Sequence, residues 1–181
     1  MEHKGTVRLE TERLILRRLV PEDAEAMYRN WASDPEVTRF LTWQPHGSPA
    51  VSEVFIRGKM AEYEDPDAYC WGIELKALGQ VIGTISAVRL EEAVDAVELG
   101  YALGRLWWGQ GLMPEAAGRV MRFFFEEVGV RRICAKHDVN NPKSGRVMQK
   151  LGMRREGTLR GAARSNQGIV DVTVYARLWE D

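Results

Sequence analysis

Between residues 112 and 128 the chain carries an apolar side chain at every fourth position: Leu112, Ala116, Val120, Phe124 and Val128. Ala117, Met121 and Phe125 widen the stripe into a broad face, the pattern of a helix laid against a sheet. Elsewhere the pattern is that of strands. YCWGIEL, VIGTISAVRL and VELGYALG are β-rich runs separated by turn-like or charged segments, as in an antiparallel meander. Arg8 to Leu19 (RLETERLILRRL) reads as a first strand, and Pro21 opens a helix to about Trp31, where its missing N–H costs nothing. The loop FLTWQPHGSP precedes a second helix from about Val51 to Tyr63. After the apolar-faced helix, RRICAKHDV reads as a fifth strand and PKSGRVMQKLG as a short helix stopped by Gly152. The last stretch reads as two strands around a turn at Asn166, Gln167 and Gly168. This order predicts a mixed α/β fold, a mostly antiparallel central sheet with flanking helices, and not a regular βαβ repeat. With 181 residues and no internal linker, one domain spanning 1–181 is expected.

A net charge of −1 gives no electrostatic reason to expect a nucleic-acid partner. No apolar run reaches membrane-spanning length and MEHKGTVRLE lacks a signal-peptide core, so no membrane association and a soluble, cytoplasmic protein are expected. Cys70 and Cys134 lie far apart in apolar stretches without metal-ligand spacing, which fits buried free thiols and no metal.

The segment RLWWGQGLMPEAAGRV (Arg105 to Val120) places Gly109 and Gly111 just before the long helix. A helix N-terminus presents unpaired N–H groups and the positive end of the helix dipole. Glycines there let an anion approach, so the backbone between Trp108 and Leu112 can cradle a phosphate, with Arg105 adding a charge-assisted contact. An ordinary strand-to-helix turn would use the same glycines. The nucleotide P-loop ending and the third glycine of a dinucleotide fingerprint are both absent. A second group follows the fifth strand. Asn141 before Pro142 forms a ready helix cap, whereas Ser144 is not the Glu or Gln of a capping box; facing a site, it can donate a proton.

WGQGLMPEA followed by NPKSGRVMQKLGM resembles the acyl-CoA-binding core of the GNAT superfamily of N-acetyltransferases. ETERLILRRLVPEDAEAM, FLTWQPHGSP, ELGYALG and GIVDVTVYARL resemble the branch of ribosomal-protein N-terminal acetyltransferases, RimJ/RimL-type, over nearly the whole chain. One departure is Leu106, where the superfamily often carries Gln or Arg. The resemblance implies the GNAT fold and acetyl-CoA as cofactor. It implies that amides around Gly109, Gln110, Gly111, Leu112 and Met113 hold the coenzyme A pyrophosphate, that Asn141 contacts the pantetheine arm, and that Ser144 sits near the thioester sulfur and protonates the leaving thiolate. Backbone N–H groups near Leu103, where its strand would part from RRICAKHDV, are implied to stabilise the oxyanion. The branch also admits a homodimer, which these residues alone do not indicate.

Strand alternation puts Val97, Leu99, Tyr101 and Leu103 on one face and Glu98, Gly100 and Ala102 on the other; a bulge, common in the family's corresponding strand, would shift this parity. The second face has room for an acyl-pantetheine arm, with Glu98 as candidate base through a water. Tyr101 reads as core, and His46 and His137 as structural. At neutral pH, deprotonating a protein α-amine costs roughly 1 kcal/mol and a lysine roughly 4–5, so a modest base suits an N-terminal acceptor. Phe40, Trp43 and Gln44 fall in the segment that the family places over the acceptor cleft, and Arg160, Arg164 and Asn166 lie in or near the final hairpin, its other wall. The expected reaction is acetyl transfer to a primary amine, such as a ribosomal protein's N-terminus. A polyamine, amino sugar or drug amine is an alternative acceptor, and a non-catalytic acyl-CoA sensor is an alternative role.

Overall fold

The computed structural model describes all 181 residues, Met1–Asp181, around an eight-stranded sheet. Its strands are β1 (Leu9–Glu10), β2 (Leu14–Arg17), β3 (Cys70–Leu75), β4 (Gln80–Glu91), β5 (Ala96–Leu103), β6 (Arg132–Asp138), β7 (Arg154–Ser165) and β8 (Gly168–Leu178). They lie in the order β1-β2-β3-β4-β5-β6-β8-β7, and every neighbouring pair is antiparallel except β5 and β6. The expected mixed, mostly antiparallel sheet with flanking helices is present.

Parallel neighbours need a crossover between them. Helix α4 (Leu112–Phe123), continued by a wider π-type turn over Phe124–Val128, supplies it. Its four-spaced residues Leu112, Ala116, Val120, Phe124 and Val128 are each no more than 2% exposed. Phe123 meets Trp71 edge-on at 5.7 Å between ring centres, and Phe124 meets Tyr69 at 4.8 Å. Such edge-to-face pairs add to the stabilisation from burial alone. Helix α5 (Pro142–Lys150) contributes Met148 to the same core. A smaller core on the other side gathers Met27, Trp31, Ile56 and Tyr63 around α1 (Ala24–Met27) and α3 (Pro49–Glu62). No helix is long and apolar enough to cross a membrane.

Three details differ from the sequence reading. Arg8 to Leu19 is not one strand but the hairpin β1–β2, because Thr11 turns the chain: its N–H donates to the Leu14 carbonyl at 2.9 Å and its hydroxyl accepts from the Leu14 N–H at 3.0 Å. A short helix α2 (Pro35–Thr38) precedes α3, capped by the Asp34 carboxylate, which accepts the Glu36 N–H at 3.0 Å. Cys134 is only half-buried, since it alternates along β6 with the buried Ile133 and Ala135.

The loop between α2 and α3 is held from across the molecule. At the β7–β8 turn, the Asn166 N–H donates to the Leu41 carbonyl at 2.9 Å, and its Nδ2 donates to the carbonyls of Thr38 at 2.8 Å and Trp43 at 2.7 Å. Its Oδ1 accepts from Gln44 Nε2 at 2.8 Å. Alanine at 166 removes the three side-chain bonds and strands two carbonyls. The expected loss is about 1–3 kcal/mol, or roughly 3–8 °C in Tm for a domain of this size, measurable by thermal unfolding.

Candidate active site

β5 and β6 are paired from Ala96↔Arg132 only as far as Leu99↔Ala135. Beyond that point β5 stays with β4 as far as Gly83↔Leu103, and β6 stays with β8 as far as Asp138↔Val172, so the two strands part. The Gly104 N–H returns to the Ile82 carbonyl at 2.8 Å. By antiparallel alternation the N–H and C=O of Leu103 therefore face the gap instead of β4. The indole of Trp108 takes the Leu103 carbonyl, Nε1 to O at 2.7 Å, and the Leu103 N–H faces the opening.

At this opening lies a cavity of about 560 Å³, walled by the β5 end, the turn before α4, one face of α5 from Pro142 to Lys150, and α2 with the loop after it. In the turn, Gly109 and Gly111 have φ of +75° and +77°, a backbone region that side chains rarely adopt. A Cβ at Gly109 would meet nothing within 4 Å, so the space beside it is open. The five consecutive N–H groups of Gly109, Gln110, Gly111, Leu112 and Met113 have no hydrogen-bond acceptor in the protein. Pro114 next in line has no N–H to satisfy. The turn is braced from behind: Arg13 donates to the Gln110 carbonyl at 3.0 Å and to Glu115 at 2.7 Å, while the Thr11 hydroxyl donates to Glu115 at 2.6 Å. Burial opposes the Glu115 charge, but Thr11 and Arg13 outweigh it and hold its carboxyl below the usual range.

Across the cavity stands α5. Asn141 occupies its cap position, yet its side chain makes no capping bond and no other hydrogen bond, which leaves the amide at the cavity wall without a structural task. Ser144 also lines the wall, and its Oγ lies 3.1 Å from the Tyr101 hydroxyl. Burial pushes that phenol up to about 12, against a smaller opposing effect of the Ser144 bond, so the pair keeps its protons at neutral pH. Tyr101, read from sequence as core, thus reaches the site with its polar tip. The bulge that would have shifted the parity of β5 is not there: the irregularity lies on β4, between Ala87 and Arg89, and the β5 register is unbroken.

Several residues singled out in the sequence lie off the cavity wall. Glu98 stands on the sheet face opposite Tyr101, ion-paired to Lys136 at 2.8 Å. Arg105 is turned to Asp34, 3.0 Å away. The Gln110 side chain folds back onto the Leu106 carbonyl at 2.9 Å, leaving only its backbone in the turn. Phe40 lines the cavity, whereas Trp43 packs against His46 and Phe55, and Gln44 serves Asn166. Arg160 and Arg164 are exposed outside it. Neither His46 nor His137 lines the cavity: His46 bonds Ser52 at 2.7 Å beside the smaller core, and His137 packs under Gly145. A cation the sequence reading did not single out, Lys143, also lines the cavity, its ammonium 4.5 Å from the Trp108 ring centre.

Residues 13–154 match the family described as acetyltransferase (GNAT) domain. The chain is 33% identical to the uncharacterized N-acetyltransferase YoaA of Bacillus subtilis, over 93% of this chain and 94% of that one. It is 29% identical to the ribosomal protein uS5-alanine N-acetyltransferase of Escherichia coli, over 83% of this chain and 80% of that one. A solved structure of RimL, a ribosomal alpha-N-protein acetyltransferase in complex with coenzyme A, superposes with a TM-score of 0.84 at 22% identity, covering 95% of this chain and 98% of that one. A strand pair that parts over a row of free backbone donors, in a chain matched to this family over most of its length, makes this protein a GNAT-family N-acetyltransferase.

Proposed function

We propose that the cavity binds acetyl-CoA and that the enzyme acetylates a primary amine, specifically the N-terminal α-amine of a protein. The observation that carries this reading is the run of five unpartnered N–H groups, Gly109 to Met113, at the N-terminus of α4. A pyrophosphate satisfies these donors together while meeting the positive end of the helix dipole. Asn141, with its amide unused, has both donor and acceptor for the amide groups of a pantetheine arm.

When bound, acetyl-CoA supplies an acyl group activated as a thioester. The Leu103 N–H, aimed into the gap, is placed to stabilise negative charge on the carbonyl oxygen; a fixed amide does so without reorganising. Ser144, backed by the still-protonated Tyr101, gives a proton to the departing sulfur. Glu98 is not assigned as base, because it lies behind the sheet with its charge taken up by Lys136. None is needed for an α-amine, whose pKa of about 8 leaves a useful neutral fraction at neutral pH. The relatives named for acetylating ribosomal proteins support this acceptor class.

Acetyl-CoA at a hundred times its Kd should raise stability by about 2.7 kcal/mol, hence Tm by roughly 5–11 °C. No thermal protection would overturn the reading. With an N-terminal peptide as acceptor and thiol release as readout, Ser144→Ala and Tyr101→Phe should each lower kcat at least about tenfold, with thermal protection retained. Glu98→Gln should keep turnover within about threefold, because a general-base step is worth about 10²–10⁴ where one operates. The same assay should rise through about pH 8 as the acceptor loses its proton, then stay level to about pH 10, since Tyr101 still holds its proton there.

A further inference from the structure

Helix α5 carries three cations and no acid: Lys143, Arg146 and Lys150. Steps of three and four residues put them on one helix face, spread over about 10 Å, and all three line the cavity. Fifteen of the chain's 25 lysines and arginines lie within 4.0 Å of a carboxylate, but none of these three does. Lys143 is also badly placed for helix stability, because a cation in the first turn opposes the helix dipole. The one carboxylate on the cavity wall, Glu36, is taken up by Arg39 at 3.6 Å, so three unpaired like charges facing one cavity point to an anionic ligand.

The backbone donors of residues 109–113 already answer a pyrophosphate, and Lys143, poised over Trp108 beside them, adds charge there. Arg146 and Lys150 lie one and two turns further along α5. Lys150 shares the cavity wall with Pro114, in the first turn of α4, so the stripe ends beyond the pyrophosphate turn and away from Ser144. Two cations remain for a second anion. Coenzyme A carries one, the phosphomonoester on its ribose, with close to two negative charges at neutral pH.

We propose that Arg146 and Lys150 form a subsite for the ribose 3′-phosphate, so that the enzyme selects coenzyme A over its 3′-dephospho form. Arg146 offers a fork of donors to the phosphate oxygens and Lys150 a mobile point charge. Both side chains are exposed, so the selection weakens with salt. It also weakens as pH falls through about 6, where a phosphomonoester takes up a proton. The proposal rests on the acetyl-CoA reading above, and its test separates the two.

Calorimetric titration with coenzyme A and with 3′-dephospho-coenzyme A, at low and high salt, measures the subsite without turnover. Wild type should bind coenzyme A at least about tenfold more tightly at low salt, a difference of about 1.4 kcal/mol. The double variant Arg146→Gln/Lys150→Gln should bring the two Kd values to within about twofold by weakening coenzyme A alone. Both side chains project from the surface, and unchanged affinity for the dephospho form would show that the fold is intact. Equal wild-type affinities, or a preference that survives in the double variant, would overturn the subsite and leave the acetyl-CoA reading standing. Failure of wild type to bind either compound would overturn both.

Discussion

The site exists because two parallel strands stop pairing. As far as Leu99 and Ala135, β5 and β6 are ordinary neighbours, and each remains fully engaged with its antiparallel partner after they separate. The sheet therefore opens without fraying, since each strand's second edge stays bonded. Trp108 helps to keep the gap open by capping the Leu103 carbonyl, a group that β6 would otherwise have satisfied. The crossover between the same strands is α4, so the free N-terminus of the longest apolar helix falls beside the opening by connectivity alone.

Around this opening the binding and fastening tasks fall to different parts of the chain. Gly109, Gly111, Leu112 and Met113 line the cavity, while Arg13, Thr11 and Glu115 hold the turn from the β1–β2 side. On the acceptor side, Phe40 reaches the cavity and its neighbours Trp43 and Gln44 fasten the loop to the smaller core and to Asn166. Residues adjacent in sequence thus divide into those that line the cavity and those that hold them in place.

That division decides how much was legible beforehand. The four-residue repeat of α4, the meander and the glycine turn follow from local chemistry, and all are present. The strand alternation around Glu98 was also correct, but parity does not say which positions border the cavity: Tyr101, Ala102 and Leu103 at the strand's end do, and Glu98 does not. A tyrosine at the end of an apolar face, with a hydroxyl needing a partner, was the available signal for its role. Arg105 could not be read because its partner Asp34 lies 71 positions away in the chain. The α5 cations were legible as spacing, since positions 143, 146 and 150 share a helix face, but nothing in the sequence showed that the face borders a cavity or lacks acids.

Because the unpartnered donors of residues 109–113 belong to the main chain, any residue but proline would supply them. Gln110 already points away, bonded to Leu106, and Leu112 and Met113 are spent on the core. Positive φ restricts Gly109 and Gly111, and burial restricts positions 112 and 113 to apolar residues. Side chains around the turn can therefore be exchanged without removing its row of N–H groups, so long as positions 112 and 113 stay apolar.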